Sequence, residues 1–423
     1  MKLAVIGGGS TYTPELVAGL ALERDRLDLR ELVLHDIDPE RRDVVGGLAA
    51  RMLDAAGYGG SLEVTDDLDR ALDGASFVLI QLRVGGQAAR LTDETVPLAC
   101  GCIGQETTGA GGLGKALRTV PVVLEIAERV RELAADDAWI VDFTNPVGIV
   151  MRSLLDAGHR AVGLCNVAIG TQRHVARMLE VEPERVLVDQ VGLNHLTWVR
   201  AIHVDGDDVL PELLAERVDE LAFDFPPSLL QRLGAIPSYY LRYFYLHDEI
   251  LENQQHEKPR ATEVAEIEAE LLELYRDPSL NTKPALLERR GGAYYSEAAT
   301  QLVAALATGS GDVQVVDVRN GGTLVGLADD DAVEVPSRIG ADGPEPMPQE
   351  PLAPELLGLA QHVAAYERLA AEAAVTGDRE LVYKALLAHP LVGQVPQTEY
   401  LTDELLAEGA EHLPRFQSHE AVR

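Results

Sequence analysis

Cys165 is one of only three cysteines in the 423-residue chain, and Asn166 follows it directly in AVGLCNVAIG (161–170). The pair stands just past an apolar run that reads as a buried strand, at the carboxyl end where open α/β sheets gather their ligands. Thirty residues on, VGLNHLTW places Asn194 and His195 at a second strand end. A thiolate and an imidazole can hold a divalent transition metal, and two protein donors leave positions open to water and substrate oxygens. From spacing alone a satisfied core histidine and an inert thiol are the better reading. Cys100 and Cys102, in LACGCIG, are too close for a zinc knuckle or a redox pair and read as small loop or core residues.

A second group lies near the amino terminus. IGGGSTYTPEL (6–16) follows an apolar strand and offers Gly7, Gly9, Ser10 and Thr11 as a tight turn, with Thr13 and Pro14 as helix cap and first helical residue. Such a turn aims backbone N–H groups and a helix N-terminus at a pyrophosphate. Tyr12 occupies the place where the dinucleotide fingerprint has its third glycine, which weakens the match. Asp36 strengthens it: a carboxylate closing the second strand suits ribose hydroxyls and repels a 2′-phosphate, so NAD is expected rather than NADP.

Further polar side chains fall at other strand ends. Arg83 and Arg90, in QLRVGGQAAR, follow the fourth strand, and Asn145 closes the fifth in DFTNPVGIV. Between them GQETTGAGGLGKALRTVP (104–121) carries Glu106 and reads as a glycine-rich loop, too rich in glycine for a core helix, that opens a long helix at Lys115. Tyr240 lies in an aromatic stripe with Tyr239, Tyr243 and Phe244, a pattern that by itself suits packing better than chemistry.

The elements that must position these residues follow from periodicity. Strand patterns at 3–6, 31–35, 61–65, 77–82, 139–143 and 161–164 alternate with helical patterns at 14–27, 41–56 and 115–133. That alternation predicts an α/β chain opening with a Rossmann-like doubly wound parallel sheet. Strands at 186–191, 197–204 and 312–320, with helices at 208–222, 238–250, 259–276 and 294–307, predict an α+β C-terminal domain resembling that of lactate and malate dehydrogenases. The division expected is 1–168 for NAD and 169–423 for substrate and metal, with the site between them. The Pro- and Gly-rich segment 340–355 reads as a surface loop.

Composition narrows the function. A formal charge of −33 disfavours nucleic acid and anionic membranes, and requires any anionic substrate to be held by a few placed arginines. No run approaches the roughly 18 apolar residues of a membrane span. With neither a signal-peptide pattern nor a disulfide framework, a cytoplasmic location is expected.

The segments GGGSTYTPEL, RVGGQAAR, GQETTGAGG, TNPVGIV, GLCN, GLNHLTW, PSYYLRYFY and GGAYYSEAA (291–299) stand in this order. Together they make the chain resemble the family 4 glycoside hydrolases, specifically those acting on 6-phospho-β-glucosides, over nearly its whole length and more weakly after about residue 330. The resemblance implies NAD together with a divalent metal, typically Mn²⁺, held by Cys165 and His195. It implies Tyr240 as catalytic base, Glu106 as the acid that tunes it, and Arg90, Asn145 and Asn166 as substrate-binding residues. Arg260, in KPRATEV, would be a second substrate arginine reaching the sugar phosphate. The implied chemistry is oxidation at sugar C3, removal of the C2 proton by Tyr240, elimination at C1, addition of water and return of the hydride. NAD is then not consumed, and the paired carboxylates of most glycosidases are not required. The α-specific members carry Asp after the metal cysteine as proton donor; Asn166 favours β linkage, with a phosphorylated disaccharide or aryl β-glucoside as substrate. A homodimer or homotetramer is expected. The competing reading is an NAD-dependent 2-hydroxy-acid dehydrogenase of the malate or lactate type. There a glycine usually follows the catalytic histidine, where Leu196 stands here, and Cys165 would have no task.

Overall fold

Short apolar runs without alternation must be covered on both faces, and the first six strands achieve this between two layers of helices. In a computed structural model, which describes residues 1–292 and 294–417, these are β1 (Lys2–Ile6), β2 (Glu31–His35), β3 (Ser61–Thr65), β4 (Phe77–Ile80), β5 (Trp139–Asp142) and β6 (Ala161–Gly163). They pair in parallel in the order β3-β2-β1-β4-β5-β6, the doubly wound arrangement that the alternation predicts.

The sheet continues without a break into the second half. There β7 (Val186–Leu193), β8 (Leu196–Val204), β9 (Asp207–Asp208), β10 (Ile236–Pro237), β11 (Asp312–Arg319), β12 (Ala332–Gly340) and β13 (Gly343–Pro346) all pair antiparallel. β11 joins β6, so the full path runs β10-β8-β7-β12-β11 and on through the parallel strands. One hydrophobic core spans both halves.

Several elements depart from the sequence expectation. β12 was not expected, and Pro336 lies within it, where its missing N–H reads as a strand breaker. The surface loop 340–355 contains the short β13. Residues 109–114 are not a loop: the long helix starts at Gly109 and is buried through this stretch. A Cβ at Gly111 would lie 2.3 Å from the carbonyl oxygen of Asp93, so helix crowding demands the glycine. That neighbour is the helix Gly86–Ala99, also unexpected. Thr13 is the first helical residue rather than the cap; Tyr12 takes the cap position and gives no side-chain bond. The helices expected at 14–27, 208–222 and 238–250 end early or divide, the last into a 3₁₀ turn at Tyr239–Leu241 and helices Arg242–Tyr245 and His247–His256. All three cysteines are free thiols. Among the described residues, no helix is long and apolar enough to cross a membrane.

Candidate active site

The carboxyl ends of the parallel strands and the helical segments after β10 enclose a cleft of about 820 Å³, toward the large end for ligand sites. Seven lysines and arginines line it against four glutamates, so the cleft is locally cationic in a strongly acidic protein.

At one end lies the glycine-rich turn. Gly7 has φ +90°, and a Cβ at Gly9 would lie 2.7 Å from the Asp36 carboxylate. That carboxylate accepts from Gly9 N at 2.8 Å and from Asp38 N at 3.0 Å, which fixes it at the end of β2 beside the turn. Gln81, just past β4, holds the turn through Gly7 O at 3.0 Å and Thr13 Oγ1 at 2.9 Å. Thr11 ties it to the second half of the chain. Arg290 Nε donates to Thr11 Oγ1 at 2.8 Å and to Glu268 Oε1 at 3.1 Å, Arg41 Nη2 meets Glu268 Oε2 at 2.9 Å, and Tyr275 OH donates to Thr11 O at 2.7 Å. Tyr12 OH donates to Gly292 O; Ala293, in the GGAYYSEAA stretch, lies outside the described residues.

The wall is built around Glu106. Its carboxylate accepts from Arg83 and from Lys115 Nζ at 2.6 Å, and Arg90 Nε lies 3.1 Å away. Burial alone would raise Glu106, but Arg83, Lys115 and Arg90 hold it well below the usual carboxylate range. Its nearest partners are therefore these cations, and Tyr240 feels it only as a more distant charge. Burial lowers Lys115 to about 7 against the attraction of Glu106. Arg90 also binds Glu94 Oε1 at 2.7 Å. Arg260 sits half-exposed at the mouth, bonded to Glu263 Oε2 at 2.8 Å and to the carbonyl of Arg289 at 2.8 Å.

Tyr240, Tyr295 and Asn145 form the floor of the cleft, and directly against them lie residues that sequence leaves far apart. Cys165 follows β6, His195 lies in the two-residue turn between β7 and β8, and Tyr240 sits on the 3₁₀ turn. The His195 and Tyr240 rings stack with centroids 3.8 Å apart. Tyr295 OH lies 3.8 Å from Cys165 Sγ, and Asn166 Oδ1 lies 3.9 Å from the same sulfur. His195 Nε2 and Asn145 Oδ1 are buried without a hydrogen-bond partner. Burial lowers His195 to about 3, with Lys115 adding to the effect. Burial and then the charge of Glu334 push the Cys165 thiol up, and burial raises Tyr240. The floor is thus a set of neutral donors short of positive charge. A bare imidazole nitrogen and a thiol of this kind fit a divalent cation, which would favour the thiolate. Among the described residues, no group of three His, Cys, Asp or Glu side chains is placed to hold a metal, so the pair would need substrate or water oxygens to complete it.

Lys115, Arg290, Glu268 and Tyr295 belong to the site and carry no sequence signal of their own. Arg290, in LERRGG, reads as an ordinary polar helix end, yet it is buried beside the turn at residues 7–11.

The Family 4 glycosyl hydrolase profile matches residues 2–181, and the Family 4 glycosyl hydrolase C-terminal domain profile matches residues 190–392. A probable 6-phospho-beta-glucosidase of Bacillus subtilis is 42% identical, covering 98% of each chain. The 6-phospho-beta glucosidase of Thermotoga maritima, solved with manganese, NAD⁺ and glucose-6-phosphate, is 34% identical with a TM-score of 0.90, over 97% of this chain and 99% of that one. Malate dehydrogenase of Plasmodium falciparum shares the fold, with a TM-score of 0.56 at 15% identity over 89% of this chain and 98% of that one. By profile and by near full-length identity, the chain belongs to family 4 of the glycosyl hydrolases.

Proposed function

We propose that the protein hydrolyses 6-phospho-β-glucosides, using NAD⁺ and a divalent cation such as Mn²⁺. The observation that carries this reading is the layer under the cleft, where His195, its Nε2 without a partner among the described residues, stacks on the lining Tyr240 and Cys165 lies against the lining Tyr295, below a cationic wall. It agrees with the cofactors named for the Thermotoga relative. Residues 1–168 would serve the dinucleotide, and 169–423 would complete the metal and sugar site together with Arg90, Asn145, Cys165 and Asn166 of the first part.

Gly7, Gly9, Ser10 and Thr11 would seat the pyrophosphate, and Asp36 the adenosine ribose. Cys165 and His195 would hold the cation. When bound, the dinucleotide supplies a reversible hydride acceptor and the cation a Lewis acid for neighbouring oxygens. Tyr240 would act as its phenolate, the form that burial disfavours and nearby positive charge favours, taking the sugar C2 proton onto its phenolic oxygen while the C1 substituent leaves. Asn145, with its unpartnered Oδ1, and Asn166 would orient sugar hydroxyls. The Arg90 side of the wall and Arg260 at the mouth would face the phosphate, where arginine's planar fork suits its oxygens.

The test is turnover of a chromogenic 6-phospho-β-glucoside with trace NAD⁺ and Mn²⁺. Many turnovers per NAD⁺, without NADH build-up and with little activity on the unphosphorylated glucoside, are expected. Stoichiometric NADH would instead indicate a dehydrogenase. Cys165→Ser is expected to stay folded and lose turnover; full activity of that variant in chelator would remove the metal assignment.

A further inference from the structure

β12, the strand hidden from the sequence by Pro336, runs between the two candidate metal-ligand strands. Glu334 lies opposite Gly192 of β7 on one side and Asp317 of β11 on the other, and Asp317 in turn lies opposite Gly163 of β6. Gly192 precedes His195 by three residues, and Gly163 precedes Cys165 by two. Glu334 is buried, and both of its oxygens are used toward β7: Oε1 accepts from Gln190, and Oε2 accepts from Asn194 Nδ2 at 2.9 Å. Asn194 Nδ2 also lies 3.4 Å from Asp317 Oδ2.

Asn194 and His195 are the whole of the turn between Leu193 and Leu196. His195 has φ +63°, a left-handed conformation that a non-glycine residue keeps only where its surroundings impose it. Its Nε2 has no protein hydrogen bond to aim the ring, so backbone geometry and the stack on Tyr240 must do so. Among the described residues, Asn194 is the side chain that ties the turn to the sheet, with Glu334 Oε2 at 2.9 Å as its closer partner and Asp317 Oδ2 at 3.4 Å as the second.

We propose that Glu334, acting through Asn194, is the positioning residue for His195: it locks the turn and thereby presents the imidazole to the cation. This rests on the reading of Cys165 and His195 as the metal pair. The experiment measures Mn²⁺ affinity by EPR titration in Glu334→Ala, Asn194→Ala, Glu334→Gln and His195→Ala, with NAD⁺ affinity as the internal control. Glu334→Ala is expected to weaken Mn²⁺ binding by about 10–100-fold, the usual scale for losing an outer-shell partner, while NAD⁺ binds as before and added Mn²⁺ restores kcat. Glu334→Gln is expected to bind Mn²⁺ like the parent. Gln190 Oε1 has no partner, so its amide can turn over and accept from the new carboxamide while the other bond is kept. If Glu334→Ala does not fold, Asn194→Ala cuts the same link from the loop side and gives the same readout. Unchanged Mn²⁺ affinity in the Ala variants, with His195→Ala losing it, overturns the positioning role and leaves the metal reading standing. Loss in Glu334→Gln equal to that in Glu334→Ala also overturns it. Normal Mn²⁺ binding by His195→Ala overturns the metal reading itself.

Discussion

Glu106 on the wall of the cleft and Glu334 and Glu367 beneath its floor are all buried carboxylates, yet their surroundings differ. Glu106 sits among Arg83, Arg90 and Lys115 and stays ionised. Glu334 meets amides and is pushed up to about 7 by burial; Glu367 is pushed up to about 8 by burial, which outweighs the lowering charge of Arg152. Burial is common to all three, so the partners decide the charge. The wall keeps its charges, with cations in excess, whereas the carboxylates beneath the floor are pushed toward the protonated, neutral form.

The contrast is broken most severely at Glu106. Glu106→Ala leaves three cations without their shared counterion and is expected to cost about 3–5 kcal/mol of stability, read by urea unfolding. A loss below about 1 kcal/mol would mean that water already solvates the cluster. Glu367 sharpens the comparison through pH. Its folded-state value lies above the unfolded value of about 4.3, so the folded state holds the extra proton. Its stabilising share is therefore complete below about pH 4 and is lost as pH rises toward about 8. Glu367→Gln, neutral throughout, is expected to narrow the stability difference between about pH 5 and about pH 8 by roughly 1.4–3 kcal/mol, equivalent to one or two pKa units. An unchanged pH profile would show that Glu367 is ionised in the fold. The smallest effect belongs to the mouth. Arg260 is half-exposed and paired with Glu263, so Arg260→Ala is expected to leave unfolding nearly unchanged and lower kcat/KM for the phosphorylated glucoside by about 1 kcal/mol, roughly fivefold. Equal loss on phosphorylated and unphosphorylated substrates would remove Arg260 from the phosphate pocket.

The parallel half of the fold was legible because its strands, apart from the edge strand Ser61–Thr65, are largely apolar runs and its turns carry Gly and Pro where geometry asks for them. β12 was not, because Pro336 argues locally against a strand that tertiary pairing nevertheless forms. The Gly109–Gly114 stretch misled in the same way: Gly111, which looks like flexibility, is there because the backbone of the helix Gly86–Ala99 crosses closely. In the site, Cys165 and His195 stand out by residue type at strand ends, but their assignment as a metal pair and the base role of Tyr240 come from resemblance alone, since no local spacing links them. Arg290 and Glu334 stayed hidden because their importance comes from where the chain brings them: one beside Thr11, the other beneath Asn194.

The buried tie between Thr11, Arg290, Glu268 and Arg41 has a consequence for how a dinucleotide is met. A glycine-rich loop left free would have to be ordered at the moment of binding, and that loss of chain entropy would be subtracted from affinity. Here the loop is clamped from the far side of the cleft by side chains some 260 residues away in sequence, Glu268 and Tyr275 among them. The ordering would then be completed during folding, and a dinucleotide seated at this loop, as proposed, would meet a receptor whose backbone has little left to rearrange.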